Sequence, residues 1–469
     1  MKKWILRISL GLLALLVIYT VFNQFDVRPM PLEFGDEGRL PAGVYDKDNG
    51  FYRLWTLAEP PGTDIESDAV ILKYRRLSDP RFDNDEAIKA FDEKAYKAMS
   101  KEFDQQWQQA LKEKGDWAKP PSDPAVDWSE LALADKDDIR ALQADFPYLL
   151  ARYRRLIDSD VYQDFTLPRW DIPIPNLLAW LRLAKLYAVH NMLDALEGNW
   201  GQAAANLLDQ LDSGKKINKG SRTLIANLVA KAVTRMSAEA LASLMNQAEC
   251  PKEVFRMVLA RTPPLQYEEF GAPAMVFGYR FRPGFNWQRF RSDSDLNFVG
   301  ALWYSLFTQP NRTRNYRDRL VAGIIKAERI LPYQWQESPF EYRPVRRGWF
   351  WWLQNPGGKI ILDRFARKDG QNLAVVIMKS YKLKTTYESL RISADLHLNY
   401  SPERPVQEIL DGLATYQNLP DPCTGQPYIW NGQKQILYSI GTDLKDDGGQ
   451  PQWNTIYGDF VLPVVLYVR

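Results

Sequence analysis

The sequence contains few of the residues that most often build catalytic and metal sites. Among 469 residues there are two histidines, His190 and His397, and two cysteines, Cys250 and Cys423. Two histidines leave almost no material for a histidine-based metal site or a catalytic triad. The cysteines are too far apart in sequence for a zinc motif or a Cys-x-x-Cys motif. They are either two separate buried thiols or a pair formed in an oxidising compartment, and spacing alone leaves both open.

An excess of one charge is also absent, since 60 Lys and Arg residues stand against 58 Asp and Glu residues. The net charge of +2 gives no global basic field, so the composition predicts no nucleic-acid partner. The chain has no Gly-x-Ser-x-Gly, no His-Glu-x-x-His and no Walker loop. A hydrophobic fraction of 45% is nevertheless ordinary for folded protein, and the aromatic fraction is high at 13%.

The one long apolar run lies near the N-terminus, at residues 8–22. The cations before it are Lys2, Lys3 and Arg7. With its flanking residues the run is about long enough to cross a bilayer, and the cations place its N-terminal side in the cytoplasm. A cleaved signal peptide is the alternative, but residues 19–24 lack a small-x-small cleavage site. We predict an uncleaved, single-pass inner-membrane anchor over residues 1–25, with the bulk of the chain in the periplasm.

The middle of the chain shows the spacing of apolar residues that is typical of helices. Predicted helices cover residues 135–156, 177–196, 202–211, 221–248 and 253–260, and a charged helix with an aromatic stripe covers 85–114. Gly214 predicts the end of the helix over 202–211. Lys215 and Lys216 follow it, and cations favour a helix C-terminus. His190 lies on an apolar-rich helix and is interpreted as a structural histidine.

Two of these helices resemble a tetratricopeptide-repeat hairpin. The matching residues are Leu183, Tyr187, Leu193, Gly198, Trp200, Ala203 and Leu208. Only one such unit is recognisable, whereas a stable array needs about three. We predict a domain of helical hairpins over residues 128–260, with Trp200 and Ala203 at a contact between helices.

Arginine and aromatic residues are interleaved over residues 277–291. The arginines are Arg280, Arg282, Arg289 and Arg291. Such a pattern suits single-stranded nucleic acid, but that partner is implausible beyond the inner membrane. Anionic lipid, an envelope polymer and an acidic protein face are the remaining partners. A half-buried strand whose arginines face water is the alternative without a ligand.

The C-terminal segment combines aspartates with glycine-rich turns. Its motifs are Asp421-Pro422-Cys423-Thr424-Gly425-Gln426-Pro427-Tyr428, Tyr438-Ser439-Ile440-Gly441-Thr442-Asp443, Asp446-Asp447-Gly448-Gly449 and Gly458-Asp459-Phe460. Carboxylates and carbonyls on a glycine-rich loop are the ligands that Ca²⁺ prefers. A solvated turn without metal is the alternative interpretation.

These motifs follow a predicted helix over residues 360–398, and in this order they resemble the globular head of the major pseudopilin of type II secretion. The resemblance covers roughly residues 374–461. It implies a small β module and a bound Ca²⁺. The implied ligands are Asp443 and Asp459, with Asp446 or Asp447 as the third carboxylate. The chain departs from the family at Leu444, where the family has glycine, and it lacks the prepilin-peptidase signature, so it is not a processed pilin subunit.

Together these patterns predict a mainly α protein with an α+β C-terminal part. The predicted domains are an anchor (1–25), a stalk with a charged helix (26–127), helical hairpins (128–260), an Arg- and aromatic-rich connection (261–354) and a pseudopilin-head-like domain (355–469). The expected function is that of a non-catalytic interaction or scaffolding protein with protein partners in the cell envelope, which the resemblance links to secretion or pilus-like assemblies.

A carboxylate-dependent hydrolase that acts on an envelope polymer is the alternative function. Paired Asp and Glu side chains leave no linear signature, and 58 acidic residues offer many pairs. Two carboxylates that face each other across a deep, aromatic-lined cleft would favour the hydrolase over the interaction protein.

Overall fold

A computed structural model of the protein describes residues 48–57, 62–78, 127–164, 174–271, 331–335, 355–450 and 458–466, together with isolated positions elsewhere. Most of the predicted anchor, most of the predicted charged helix at 85–114 and all of the Arg- and aromatic-rich segment at 277–291 lie outside these residues. Within the described part, no helix combines the length and the apolar character needed to cross a bilayer.

The chain forms two compact units. The first comprises residues 1–39, 277–330 and 335–375, and the second comprises residues 40–276, 331–334 and 376–469. The helices, in chain order, are α1 (Gly50–Thr56), α2 (Asp68–Ser78), α3 (Trp128–Ala134), α4 (Lys136–Asp145), α5 (Pro147–Ile157), α6 (Leu177–Leu196), α7 (Trp200–Gly220), α8 (Leu224–Met245), α9 (Lys252–Arg261), α10 (Tyr267–Phe270), α11 (Pro356–Asn399), α12 (Val406–Gly412) and α13 (Ala414–Asn418). A 3-10 turn covers Pro332–Gln334.

In the first unit, Asn355 fixes the start of the long helix α11. Its side-chain oxygen accepts the backbone N–H of Gly358 at 3.2 Å, which satisfies one of the free donors at a helix N-terminus. The same oxygen accepts the backbone N–H of Gln309 at 2.7 Å. One amide side chain therefore joins the helix start to a neighbouring segment of this unit.

Helices α6, α7 and α8 form the centre of the second unit. Helix α6 begins at Asn176, whose side chain accepts the backbone N–H of Ala179 at 2.9 Å. It is apolar on most of its surface, which is typical of a helix enclosed by others, and it packs against α3, α7 and α8. The bounds predicted for this helix, 177–196, are confirmed.

The end predicted for the helix over 202–211 is wrong, because α7 continues through Gly214 to Gly220. A Cβ atom at Gly214 would lie 2.3 Å from Thr234 Oγ1 and 3.2 Å from the backbone nitrogen of Thr234 on α8. Gly214 therefore permits α7 and α8 to approach each other closely and does not stop the helix. The helix predicted over 135–156 is two helices, since Pro147 begins α5 at a position where its missing N–H costs nothing.

The predicted contact residues of the α6–α7 hairpin differ in burial. Ala203 is buried with 1% of its surface exposed, whereas Trp200 is half-buried. His190 on α6 lies 3.1 Å from Arg140 on α4 and 3.3 Å from Asp194, so its ring belongs to a polar contact between helices. Burial, which outweighs the nearby Asp194 carboxylate, lowers the pKa of His190.

The second unit also contains a three-stranded antiparallel sheet with strand order β1-β2-β3. Its strands are Ile429–Asn431, Ile436–Ser439 and Phe460–Pro463. Leu437 pairs with Trp430 on one side and with Leu462 on the other. Its core partners come from α11 to α13 and include Ile392, Leu396, Ile409, Leu410, Leu413 and Tyr416. The prediction of a mainly helical protein with a small C-terminal sheet is confirmed.

Cys250 and Cys423 are both buried, and they form no disulfide with each other. Of the two alternatives that their spacing left open, the structure has two separate thiols. Burial raises the pKa of Cys423 well above its ordinary value, so this thiol stays protonated and unreactive.

Replacing Gly214 with alanine is expected to destabilise the protein, because the new methyl group meets Thr234 at a distance that no Cβ tolerates. The expected loss is about 1–3 kcal/mol in free energy of unfolding, measured by urea denaturation.

The matched control is Gly201→Ala, at the start of the same helix, where a Cβ would meet no atom within 4 Å. Alanine is the better helix former, so this change should be neutral or stabilising by up to about 1 kcal/mol. Equal effects at both positions would contradict the role of Gly214 in packing.

Candidate functional site

A charged cleft lies in the second unit, between α5, α7, α9 and the segment that follows α9. Its volume is about 930 Å³. The residues that line it are Arg154, Ile157, Asp158, Asp209, Asp212, Lys215, Lys216, Lys219, Arg261, Pro263, Pro264, Gln266, Glu268 and Glu269. Ten of these fourteen carry charge, and cations and anions are equal in number.

Helical spacing brings most of these charges to the cleft. Asp209, Asp212, Lys216 and Lys219 follow one another at intervals of three or four residues on α7, so they share one face of that helix. Arg154, in the last turn of α5, and Asp158, which directly follows that helix, form an ion pair at 2.9 Å. The cleft thus collects one charged stripe from each helix.

The floor of the cleft is a chain of alternating charges, here called the ion-pair ladder. Arg154 Nη2 lies 2.9 Å from Asp209 Oδ2, and Arg261 Nη2 lies 2.9 Å from Asp209 Oδ1. Arg261 Nη2 also lies 2.8 Å from Asp212 Oδ2. Lys215 Nζ lies 3.0 Å from Asp212 Oδ1 and 3.6 Å from Glu269 Oε1. The ladder therefore links α5, α7, α9 and α10.

The ladder keeps its cations charged. Burial by itself lowers the pKa of Lys215, but Asp212, Tyr387 and Glu269 outweigh burial and raise it overall. The pKa of Arg154 is raised in the same way, against burial, by Tyr187 and Asp209. Each ladder carboxylate has a cation within ion-pair distance, so the ladder is suited to binding and orientation rather than to proton transfer.

The rim of the cleft carries exposed charges. Lys216, Lys219 and Glu268 are exposed, and Lys216 donates a hydrogen bond to the backbone oxygen of Ser159 at 3.2 Å. Exposed charges of both signs above a neutral floor suit a ligand that itself carries both signs. The sequence contained a signal for this site, the regular spacing of charges on residues 209–219, but a sequence does not show which face of a helix is left uncovered.

Carboxyl groups with raised pKa values lie elsewhere in the second unit, in its interior. Glu388 accepts a hydrogen bond from Tyr428 at 2.9 Å and pairs with Lys384. Asp421 accepts from Ser439 and from the backbone of Cys423. Burial raises the pKa of both carboxyl groups, and each residue is 2% exposed. Glu388 joins α11 to Tyr428, next to β1, and Asp421 joins its own turn to Ser439 on β2; both carboxyl groups are too deeply buried to reach a polymer.

The four predicted metal ligands lie in the β2–β3 connection, where Asp459 organises the loop. Its Oδ2 accepts the backbone N–H of Gly449 at 2.7 Å and of Gln450 at 3.2 Å, and Oδ1 accepts that of Asp447 at 3.5 Å. Burial raises the pKa of Asp459, and these N–H groups oppose the rise. Asp447 contributes its backbone to this arrangement.

The other two aspartates cap their own turns. Asp446 accepts from the backbone N–H of Gly448 at 2.8 Å and from Tyr438 Oη at 3.1 Å, and Asp443 accepts from Lys445 at 3.3 Å. Among the described residues, no three His, Cys, Asp or Glu side chains are grouped so as to hold a metal ion. Asp443, Asp446 and Asp459 thus each accept backbone N–H groups of the same connection and organise it from within.

Comparison with known proteins identified no relatives: no family model, no curated protein and no solved structure is significantly similar to this chain.

Replacing Asp209 with alanine is expected to cost about 1–2 kcal/mol in free energy of unfolding, because it removes two ion pairs at once and leaves Arg154 and Arg261 without their shared anion. Asp158 provides the control, since it pairs with Arg154 alone and its side chain is 49% exposed. Asp158→Ala should cost less than about 0.5 kcal/mol in the same urea titration. A loss at Asp209 no larger than at Asp158 would contradict a connected ladder.

Replacing Asp459 with asparagine should destabilise the β2–β3 connection by about 1–3 kcal/mol, because an amide N–H₂ group cannot accept the backbone donors that the second carboxylate oxygen accepts. Asp443→Asn is the matched control, since Asp443 accepts a single hydrogen bond at a turn. Its effect should stay within about 0.5 kcal/mol by thermal unfolding, with both variants measured in chelator so that no Ca²⁺ contributes. If the two variants unfold alike, Asp459 does not organise the loop.

Proposed function

We propose that the protein is a non-catalytic interaction component of the cell envelope, held by its N-terminal segment in the inner membrane, and that the charged cleft takes a segment of a partner protein. The ion-pair ladder is the observation that carries this proposal. A floor on which cations and anions alternate is a surface that recognises the charge pattern of an extended peptide.

The position of the carboxyl groups supports binding rather than hydrolysis. A glycosidase needs a carboxyl group with raised pKa that touches its substrate, next to a second carboxylate across an open gap. In the cleft, Asp212 and Glu269 both bind the ammonium group of Lys215. The raised pKa values belong to interior residues such as Glu388. The hydrolase therefore stays the second candidate.

Calcium bound by Asp443, Asp459 and Asp446 or Asp447, as the resemblance to pseudopilin heads implies, remains part of the proposal, supported by a long helix followed by a three-stranded antiparallel sheet. Such an ion would stabilise the folded protein by about 2.7 kcal/mol at a concentration about 100-fold above Kd. Full-length protein should then melt higher in Ca²⁺ than in chelator, and Asp443→Ala should abolish the difference. Identical melting in Ca²⁺ and chelator would exclude a stabilising ion.

The proposed cleft function is tested with full-length protein and fluorescent peptides of equal length that contain alternating Glu and Lys, Lys alone or Glu alone among glycines. The mixed peptide should bind best, because the floor is neutral and the rim carries both signs. Binding should weaken strongly at about 0.5 M salt, since exposed charges are then screened. Fluorescence anisotropy measures each affinity.

Removing rim charges in Lys219→Ala and Glu268→Ala should weaken the mixed peptide about twofold to fivefold each, as expected for partly exposed ion pairs. Arg404→Ala is the control, because Arg404 is exposed and pairs with Glu408 on α12. Stronger binding of a single-sign peptide, or no effect of the rim variants, would contradict the proposal. Release of soluble fragments from cell-wall polymer, abolished by Glu269→Gln, would favour the hydrolase instead.

A further inference from the structure

A group of three cations, Arg235, Lys379 and Lys382, lies where α8, α11 and β3 meet. Lys379 and Lys382 are three residues apart on α11, so they share one side of that helix. On α8, Lys231 donates a hydrogen bond to Ser380 at 2.6 Å, which places this turn of α8 against the same turn of α11. Arg235 follows Lys231 by one helical turn and therefore faces this region.

The strand β3 lies beside the same group, next to α8 and α11. Lys382 Nζ lies 5.8 Å from the ring centroid of Phe460, the first residue of that strand. The ammonium group of Lys382 therefore lies beside the aromatic ring of β3, and it is close enough to Arg235 on α8 for that guanidinium to act on its charge. Lys382 is half-buried, the Arg235 side chain is 35% exposed, and Lys379 is exposed, so the group is open to a small solute.

Few negative charges balance this group. Arg235 Nε lies 3.7 Å from Glu239 Oε1, which is longer than the roughly 2.7–2.9 Å of a charge-assisted hydrogen bond. Among the described residues, Glu239 is the acidic side chain that opposes the lowered pKa of Lys382, whereas at Lys379 the charge of Arg235 adds to the effect of burial. Three cations therefore face one loosely paired carboxylate.

The protonation of the lysines reflects this imbalance. Burial, followed by the charge of Arg235, lowers the pKa of Lys382 to about 8, with Glu239 opposing and Lys379 adding to the effect. Burial and Arg235 also lower the pKa of Lys379. Like charges held this close repel one another, and a bound anion relieves that repulsion.

We propose that Arg235, Lys379 and Lys382 form a binding site for a tetrahedral oxyanion of the phosphate type. The planar guanidinium of Arg235 matches two oxygens of such a group, and each ammonium group adds a point charge with rotatable donors. The site is separate from the charged cleft, since none of its members lines that cleft. A free phosphate and the phosphodiester of a lipid head group present the same chemistry to it.

The test uses detergent-solubilised full-length protein and sulfate as the probe, because sulfate keeps both negative charges between about pH 7 and pH 9.5. Isothermal titration calorimetry should show binding at about pH 7 that weakens about tenfold at about pH 9.5, as Lys382 loses its proton. Lys382→Arg should bind sulfate at both pH values, since arginine stays charged. This rescue distinguishes a direct contact from a structural role.

Lys379→Gln and Lys382→Gln should each weaken sulfate binding about tenfold at about pH 7, as expected when one charged hydrogen bond is lost. The control is Lys252→Gln, an exposed lysine on α9. Circular dichroism and melting should show that all variants fold, because removing a repelled charge does not destabilise the protein.

Two further arms distinguish the sources of the anion. Inorganic phosphate replaces sulfate in one arm, and micelles doped with phosphatidylglycerol or phosphatidylcholine are used in the other. Variant-sensitive binding of phosphate indicates a free anion, and variant-sensitive binding of phosphatidylglycerol alone indicates a lipid head group; either supports the site. If Lys379→Gln and Lys382→Gln leave binding of sulfate, phosphate and micelles unchanged, the proposal is overturned.

Discussion

The close packing of α7 against α8 is the contact on which the rest of the helical part depends. A glycine at Gly214 and the small surfaces around Thr234 allow the two helices to approach within van der Waals contact. With α8 on one side and α6 on the other, one face of α7 remains, and that face carries Asp209 and Asp212. The cleft therefore exists because the apolar faces of α7 are already occupied by its neighbours.

Charge has two different uses in this molecule. In the ion-pair ladder, opposite charges alternate at distances of about 3 Å and neutralise one another, which leaves a polar but uncharged floor. At Arg235, Lys379 and Lys382, like charges meet, and among the described residues Glu239 is the loosely paired carboxylate beside them. The first arrangement favours recognition of a mixed-charge segment, and the second favours a compact anion. One chain with balanced composition thus offers two electrostatically distinct surfaces.

Part of the fold could be predicted from local sequence patterns. The apolar pattern over residues 177–196 predicted the bounds of α6 correctly, because a buried helix leaves a strong local signal, and the structure adds Asn176 as its side-chain cap. Gly214 was misread, because a glycine that ends a helix and a glycine that permits close packing look identical in sequence. The Asp-rich loop was located, yet the use of Asp459 as an acceptor for three backbone N–H groups depends on how the loop folds back over β3.

The sequence by itself determined the helical character of the middle of the chain, the small sheet at its end and the lack of material for histidine chemistry, because periodicity, turn residues and composition act locally. The tertiary structure decided which charges meet. Arg154 and Asp209, or Arg235 and Lys382, are distant in sequence, and their Coulomb interactions depend on separations of a few ångströms that only the packing of helices fixes. Leu444 is a further case that the tertiary structure decided. Its backbone is left-handed, with φ of 58°, although a leucine side chain favours other conformations, so this conformation follows from the closure of the loop.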